Sequence, residues 1–258
     1  MNELMPHVSI LLLIIVRVSA FFVSAPLFSY RTIPPQMRIA VAVVLAWMMY
    51  YTIDIEPLQI DGHYILLILK EAITGLMLGL AAFIVLSAVQ IAGGFIDFQM
   101  GFAMANIVDP QTGAQSPLMG QFYNFLVLLV LLAINGHHLI LDGIFYSYQY
   151  IPMDQVFPRF GSEDTVEFMM KLLVAVFAIA FQMSAPIVAT LFLVTLALGI
   201  TGKTVPQMNI FVVGFPIKIA VGFIVLLITM GVTIQVMRNL VEMMILTLRN
   251  LMVILGGA

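Results

Sequence analysis

Long apolar runs separated by short polar stretches set the pattern of this chain. The first run extends from about Val8 to Tyr30 and carries one charge, Arg17. A second and shorter run covers about Ile39 to Tyr51 and ends in Trp47, Tyr50 and Tyr51. The third begins near Tyr64 and stays apolar to about Ala105. The fourth spans about Leu118 to Ile134 and, past Asn135-Gly136-His137-His138, continues from Leu139 to Tyr150. A fifth covers about Thr165 to Ile200, and a sixth about Met208 to Leu255. Runs of this kind predict membrane-type helices, for which about 20 residues cross the hydrocarbon. At 1.5 Å per residue the third would be ~60 Å long and the sixth ~70 Å, about twice the thickness of a hydrocarbon core. Each must therefore break or extend beyond the bilayer. Gly93-Gly94 is the expected break in the third, Ala185-Pro186 interrupts the fifth, and Pro216 and Gly222 fall inside the sixth. The second is short for a span and requires tilt or burial against neighbours.

The stretch from Gly93 to Gln121 does not match its surroundings. Between the third and fourth runs lie Asn106, Ile107, Val108, Asp109, Pro110, Gln111, Thr112, Gly113, Ala114, Gln115, Ser116 and Pro117, with no Lys or Arg among them. Pro110 and Pro117 each remove a backbone donor and push the preceding residue out of helical geometry, so a loop is predicted. Irregular backbone beside apolar helices is tolerated at the membrane surface, buried in protein, or lining a watery cavity. The pattern therefore fits either an ordinary surface loop or a loop folded into a pore. In the second case Phe102, Met104 and Met119, with Ile107, would supply an apolar seal. A few hydrogen bonds of about 0.5–1.5 kcal/mol net each would then hold a barrier that can be opened one bond at a time.

Composition changes the picture by excluding a water-soluble surface. The 258 residues are 62% hydrophobic and 9% charged, with a mean hydropathy of +1.12. A soluble domain carries about 25% charged residues. The chain reads as one helical membrane domain without a separate soluble part, and its first apolar run as a retained span rather than a secretory signal. There is no Cys, hence no disulfide or thiolate metal site. A net charge of −3 leaves no basic patch for nucleic acid. The 19 Met and 19 Phe supply adaptable and bulky apolar side chains, and Met can seal around varied shapes.

The few charges are individually informative. Arg17 lies within an apolar run and must face protein or water. Lys70 and Glu71 are adjacent, so their side chains diverge on a helix and each is expected to seek another partner. Asp97, Arg238 and Glu242 are the other charges inside apolar runs, and Arg238 and Glu242 can pair at four residues' spacing. Glu167 and Lys171 have the favourable order for a surface pair. Gly75 and Gly79 form a small-xxx-small spacing that permits close helix contact. Arg31 and Arg38, without an acid, mark a cytoplasmic-type loop, whereas Asp54, Glu56 and Asp61 suit the outer face. Lys203 and Lys218 flank a turn with Pro206 and Gln207, which the same rule puts in the cytoplasm. Pro216 frees the carbonyl of Val212, and Lys218 would meet either that opened backbone or an acid on a neighbouring subunit, or else snorkel toward the cytoplasmic surface. His137, His138 and Asp142 invite a metal reading, but no further ligand stands at a metal spacing, and capping or hydrogen bonding between subunits is the simpler role. No zinc-protease, nucleophile-elbow or phosphate-loop motif is present, which argues against an enzyme and against a cofactor.

Several motifs together carry a family resemblance. They are Pro26 followed by R-T-I-P-P-Q-M-R at 31–38, Q-M-G-F at 99–102 leading to Asp109-Pro110, Asn135-Gly136-His137, and G-F-P-I-K-I at 214–219. In this order and spacing the chain resembles the FliR/SctT family of type III secretion, over nearly its whole length. Ala185-Pro186, Gln207-Met208-Asn209 and Pro216-Ile217-Lys218-Ile219 in the last third also resemble FliQ, a small two-helix partner of that family. The resemblance implies an all-α membrane-type fold of long broken or kinked helices and helical hairpins. Residues 1–180 would form a FliP-like part and 181–258 a FliQ-like C-terminal hairpin. It further implies a non-enzymatic subunit at the entrance of a protein-export channel in the bacterial inner membrane at the flagellar basal body. FliP and FliQ would be its partners in the gate, FlhB and FlhA would surround it, and unfolded export substrates would pass through the lumen. The loop from Asn106 to Pro117 would be the plug. The turn bearing Lys203, Pro206, Gln207, Pro216 and Lys218 would be a contact for FlhB. The competing class is a secondary transporter or small-solute channel with Arg17, Asp97 and Lys218 along its route, for which no two-fold internal repeat is evident.

Overall fold

The computed structural model describes residues 4–30, 33–53, 62–102, 117–155, 158, 160–205, 207 and 209–257. Among them the chain forms helices without strands: α1 (Leu4–Ser24), α2 (Pro35–Tyr50), α3 (Gly62–Met100), α4 (Leu118–Ala133), α5 (Gly136–Tyr150), α6 (Glu163–Thr204) and α7 (Ile210–Gly256). This is the all-α, membrane-type class expected from the apolar runs. Helices α3, α6 and α7 are long and apolar enough to cross a membrane, as is a fourth span if α4 and α5 are one broken at residues 134–135. Their 39, 42 and 47 residues correspond to ~60–70 Å, twice a hydrocarbon core.

The breaks are not where Gly and Pro predict them. Helix α3 runs unbroken through Gly93-Gly94, and α6 and α7 continue through Pro186 and Pro216. A lost intrahelical bond costs a helix less than unwinding where the freed backbone groups would find no water. The α3 helix stops instead at Gly101, whose φ of +90° is the left-handed cap that glycine adopts freely. Its N–H donates to the Asp97 carbonyl at 3.1 Å. The fourth run breaks as expected before Gly136, at Asn135, which adopts φ 56°.

The chain divides into two compact units. The first comprises residues 1–85, 134–173 and 241–258. On α1, burial follows Ile10, Leu13, Ile14, Arg17, Val18, Phe21 and Phe22, the i, i+3, i+4 stripe of a helix facing a core. That stripe explains why Arg17 is inside: it occupies a core position of the first helix. The α1 helix packs on α2, and α3 comes against α1 backbone-close at Gly75 and Gly79. A Cβ on Gly75 would overlap the Arg17 carbonyl, and one on Gly79 the Ser24 hydroxyl. The small-xxx-small spacing is thus a contact surface. Ser24 Oγ crosses it to donate to the Leu76 carbonyl at 3.2 Å.

The second unit comprises residues 86–133 and 174–240. Its core includes Val89, Ala92, Ile96, Met100, Tyr123, Val127, Ile187, Leu191 and Met237. Here Gly93 of α3 and Gly120 of α4 are in backbone contact, since a Cβ on Gly93 would overlap the Gly120 backbone. The glycine pair that reads as a helix break is a close approach of two helices.

Candidate functional site

Two buried charged groups organise the structure, one in each unit. In the first, Arg17 and Glu71 are both fully buried and joined by a bidentate pair. Arg17 Nε donates to Glu71 Oε2, and Nη2 to Oε1 at 2.9 Å. Nη1 donates to Ser147 Oγ at 3.0 Å, and Nη2 also donates to the Ile151 carbonyl at 2.9 Å. The Arg17 guanidinium carbon lies 4.0 Å from the centre of the Tyr148 ring. Lys70 Nζ donates to Glu71 Oε1 and to the Pro152 carbonyl, both at 2.6 Å.

One carboxylate therefore serves two cations, and the excess positive charge is met by two carbonyls, a hydroxyl and an aromatic face. The arrangement pins the segment leaving α5 to α1 and α3. Tyr64 and Tyr148 reinforce it by donating to the Ser9 and Ile14 carbonyls at 2.8 and 3.5 Å. Each of the three charged side chains is hydrogen-bonded within the fold, so the cluster holds the elements of the first unit together.

Lys70 and Glu71 each find the further partner that was expected, but the expectation that their side chains diverge is corrected here, since they also pair with each other. Both bend into one pocket, because Arg17 and the Pro152 carbonyl draw them to the same side. Sequence reasoning identified Arg17 but missed Ser147, Tyr148 and the carbonyls of Ile151 and Pro152. They lie far along the chain, the Ile151 carbonyl 134 residues from Arg17, and nothing local announces them.

In the second unit, the Asp97 carboxylate is buried and faces the first turn of α4. It accepts the Met119 N–H at 3.1 Å on Oδ1 and 2.9 Å on Oδ2, and the Gly120 N–H at 3.3 Å. These are the donors that a helix start leaves without intrahelical partners, and the helix dipole favours an anion there. Asp97 thus caps α4 from a different helix. Gly101 and Phe102 end one side of the 103–116 segment, and Pro117 opens the other. The Asp97 clamp and the Gly93–Gly120 contact tie the two sides together at the base.

Of the seal residues, Met119 is buried at this clamp and Phe102 is half-buried. Met104 and residues 106–116, hence the whole expected plug except Pro117, lie outside the described residues. Pro206 does too, whereas Lys203, Gln207 and Pro216 are exposed and Lys218 is half-buried.

Arg238 and Glu242 are both exposed, and no ion pair joins them among the described residues. Their order, with the base first, is the weaker one for pairing at four residues' spacing. The Glu167–Lys171 pair forms as expected, at 2.6 Å on an exposed face. On α7 the exposed large residues from Val212 to Ile234 are apolar, whereas Gln235, Arg238, Asn239, Glu242, Arg249 and Asn250 are exposed and polar. One helix thus changes the surface it presents partway along its length.

The comparisons with known proteins agree on one group. The family described as bacterial export proteins, family 1, matches residues 8–244. The chain is 56% identical over 257 residues to the flagellar biosynthetic protein FliR of Bacillus subtilis (strain 168), covering 99% of each chain. It is 26% identical over 212 residues to the flagellar biosynthetic protein FliR of Escherichia coli (strain K12), covering 81% of this chain and 79% of that one. The Yop proteins translocation protein T of Yersinia pestis is 28% identical over 219 residues, 84% of each chain.

Proposed function

The chain belongs to the bacterial export proteins, family 1, the FliR/SctT family, and from that membership we propose that it is a non-enzymatic subunit of a flagellar type III export gate. In this reading it sits at the entrance of the protein-export channel in the inner membrane. It assembles with FliP and FliQ, is contacted by FlhB and FlhA, and passes unfolded substrates. Residues 1–180 act as the FliP-like part and 181–258 as the FliQ-like hairpin.

The observation that carries the reading is the tied base on either side of residues 103–116. The α3 and α4 ends that flank this nearly uncharged sequence, with Pro110 inside it and Pro117 at its far edge, are held together by Asp97 and by the Gly93–Gly120 contact. A loop on a fixed base can obstruct a lumen without its supports moving, and can be pushed aside by a translocating chain. We assign the plug to Asn106–Pro117 and the seal around it to Phe102, Met104 and Met119.

Helix length supports assembly with other subunits. Helices of ~60–70 Å are about twice the hydrocarbon thickness. The exposed face of α7 becomes mainly polar beyond Ile234, with Leu246 the exception, so that part of the helix is better suited to water or to protein than to lipid. The buried partners of Arg17 and Asp97 leave neither charge free for a substrate route, which weighs against a secondary transporter. Co-purification separates the two classes. A gate subunit extracted in mild detergent brings FliP and FliQ with it, whereas a transporter purifies alone. Recovery of the chain by itself, from cells that express all three, would rule out the gate reading.

A further inference from the structure

Within the second unit the chain leaves α3 at Gly101, and a side chain of α7 sits against that exit. The Gly101 N–H is shared between the Asp97 carbonyl at 3.1 Å and the Phe98 carbonyl at 3.3 Å. A Cβ on Gly101 would lie 2.3 Å from Phe215 Cε1 and 2.7 Å from Cδ1, so the edge of that ring fills the space beside the glycine. About two turns further along the same face of α7, Gly222 is buried against Met100, where a Cβ would come within 2.9 Å of Cε. Phe215 and Gly222 thus hold the last two residues of the α3 exit from one side.

Gly101 needs such a contact. Glycine adopts positive and negative φ about equally readily, so its own chemistry does not hold it at φ +90°. Asp97 fixes the α4 side of the base through the Met119 and Gly120 N–H groups, and Phe215 stands at the α3 side. The ring is half-buried, and its neighbours settle which way it faces. Gly214 is buried, with a Cβ there 3.3 Å from Leu198 Cδ1 of α6, whereas Pro216 and Ile217 are exposed. Two motifs far apart in the sequence, Q-M-G-F at 99–102 and G-F-P-I-K-I at 214–219, therefore meet at one contact.

We propose that Phe215 is a positioning residue for the barrier: its ring, packed on Gly101, sets the direction in which the chain leaves α3 toward residues 103–116. Phe215 touches nothing that passes through the channel. It acts through Gly101, as Asp97 acts through the first turn of α4, and the two together fix both sides of the base. This inference rests on the plug reading above.

The test expresses the full-length chain with FliP and FliQ, measures assembly by co-purification, and reads leakage of small ions from the membrane potential. Phe215→Ala assembles and leaks several-fold more than the parent, Phe215→Leu leaks less than the Ala form, and Phe215→Tyr, which keeps the ring, is as tight as the parent. Added to a chain that lacks Ile107 to Gln115, Phe215→Ala raises leakage no further, because both changes act on one barrier. A general loosening of the fold would add a leak of its own. An assembled Ala form as tight as the parent, or an added leak in the deletion background, overturns the Phe215 assignment and leaves the plug reading standing. If the Ala form alone fails to assemble, the Leu form decides by the same criteria. Failure of both to assemble also overturns the assignment, since the ring then supports the complex and not the barrier. A deletion chain that assembles and is itself tight overturns the plug reading, and this inference with it.

Discussion

Glu71→Gln removes the carboxylate that is hydrogen-bonded to both buried cations, Arg17 and Lys70. Arg17 and Lys70 are 0% and 2% exposed, so neither charge can be answered by water once Glu71 is neutral. Breaking a buried pair by removing one partner costs about 3–5 kcal/mol. Here two cations are stranded and also repel each other, so a loss of about 5 kcal/mol is expected, a third or more of a typical domain's stability. The reciprocal change is milder. In Arg17→Met, Lys70 still neutralises Glu71 at 2.6 Å, and Ser147 still donates to the Ile144 carbonyl at 2.6 Å. What is lost is the bidentate pair and the Ile151 carbonyl's donor, about 2–4 kcal/mol. The assay is the level of full-length chain in the membrane fraction, followed by thermal aggregation of the detergent-solubilised protein. The predicted order of damage is Glu71→Gln, then Arg17→Met. A Glu71→Gln chain that accumulates and melts like the parent would show that the two cations do not depend on that carboxylate.

The second unit offers two further tests. Asp97→Asn keeps the shape of the clamp but replaces a charged cap by a neutral one. It should cost about 0.5–2 kcal/mol, leave the complex assembled, and raise leakage of small ions; unchanged leakage from an assembled variant would separate the clamp from the barrier. Gly93→Leu places a side chain where the backbone of Gly120 lies, so α3 and α4 must part, and assembled complex on a native gel should fall sharply. The same change at Gly231, which has open space around it, should be tolerated.

Much of the fold could be read from apolar periodicity. The ends of α4, α5, α6 and α7 fall within a few residues of the expected boundaries, because caps, polar turns and run lengths are local properties. Gly75 and Gly79 proved to be a contact surface for the same reason, since their spacing alone puts them on one helix face. The failures share a cause. Gly93-Gly94 and Pro186 are helix breakers by local propensity, yet α3 and α6 run through them. Packing decided these positions: Gly93 is where α4 comes closest, a fact carried by Gly120 and not by its own neighbourhood. The ion cluster was half legible. An Arg in an apolar run demands partners, but a sequence does not say that they are Glu71 and groups at 147–152. Asp97 was visible as an intramembrane charge, while its role as a cap for a helix on the far side of a loop follows only from geometry.

The segment between Asp97 and its partners can be removed while its base is kept. Deleting Ile107 to Gln115 spares the clamp at Met119 and Gly120 and the seal residues Phe102, Met104 and Met119. Membrane potential and growth are measured in cells expressing the deletion together with FliP and FliQ, with assembly verified by co-purification. The plug reading predicts an assembled complex that dissipates the potential and slows growth. An assembled deletion complex that holds the potential as tightly as the parent would contradict it, and would make residues 106–117 a surface loop.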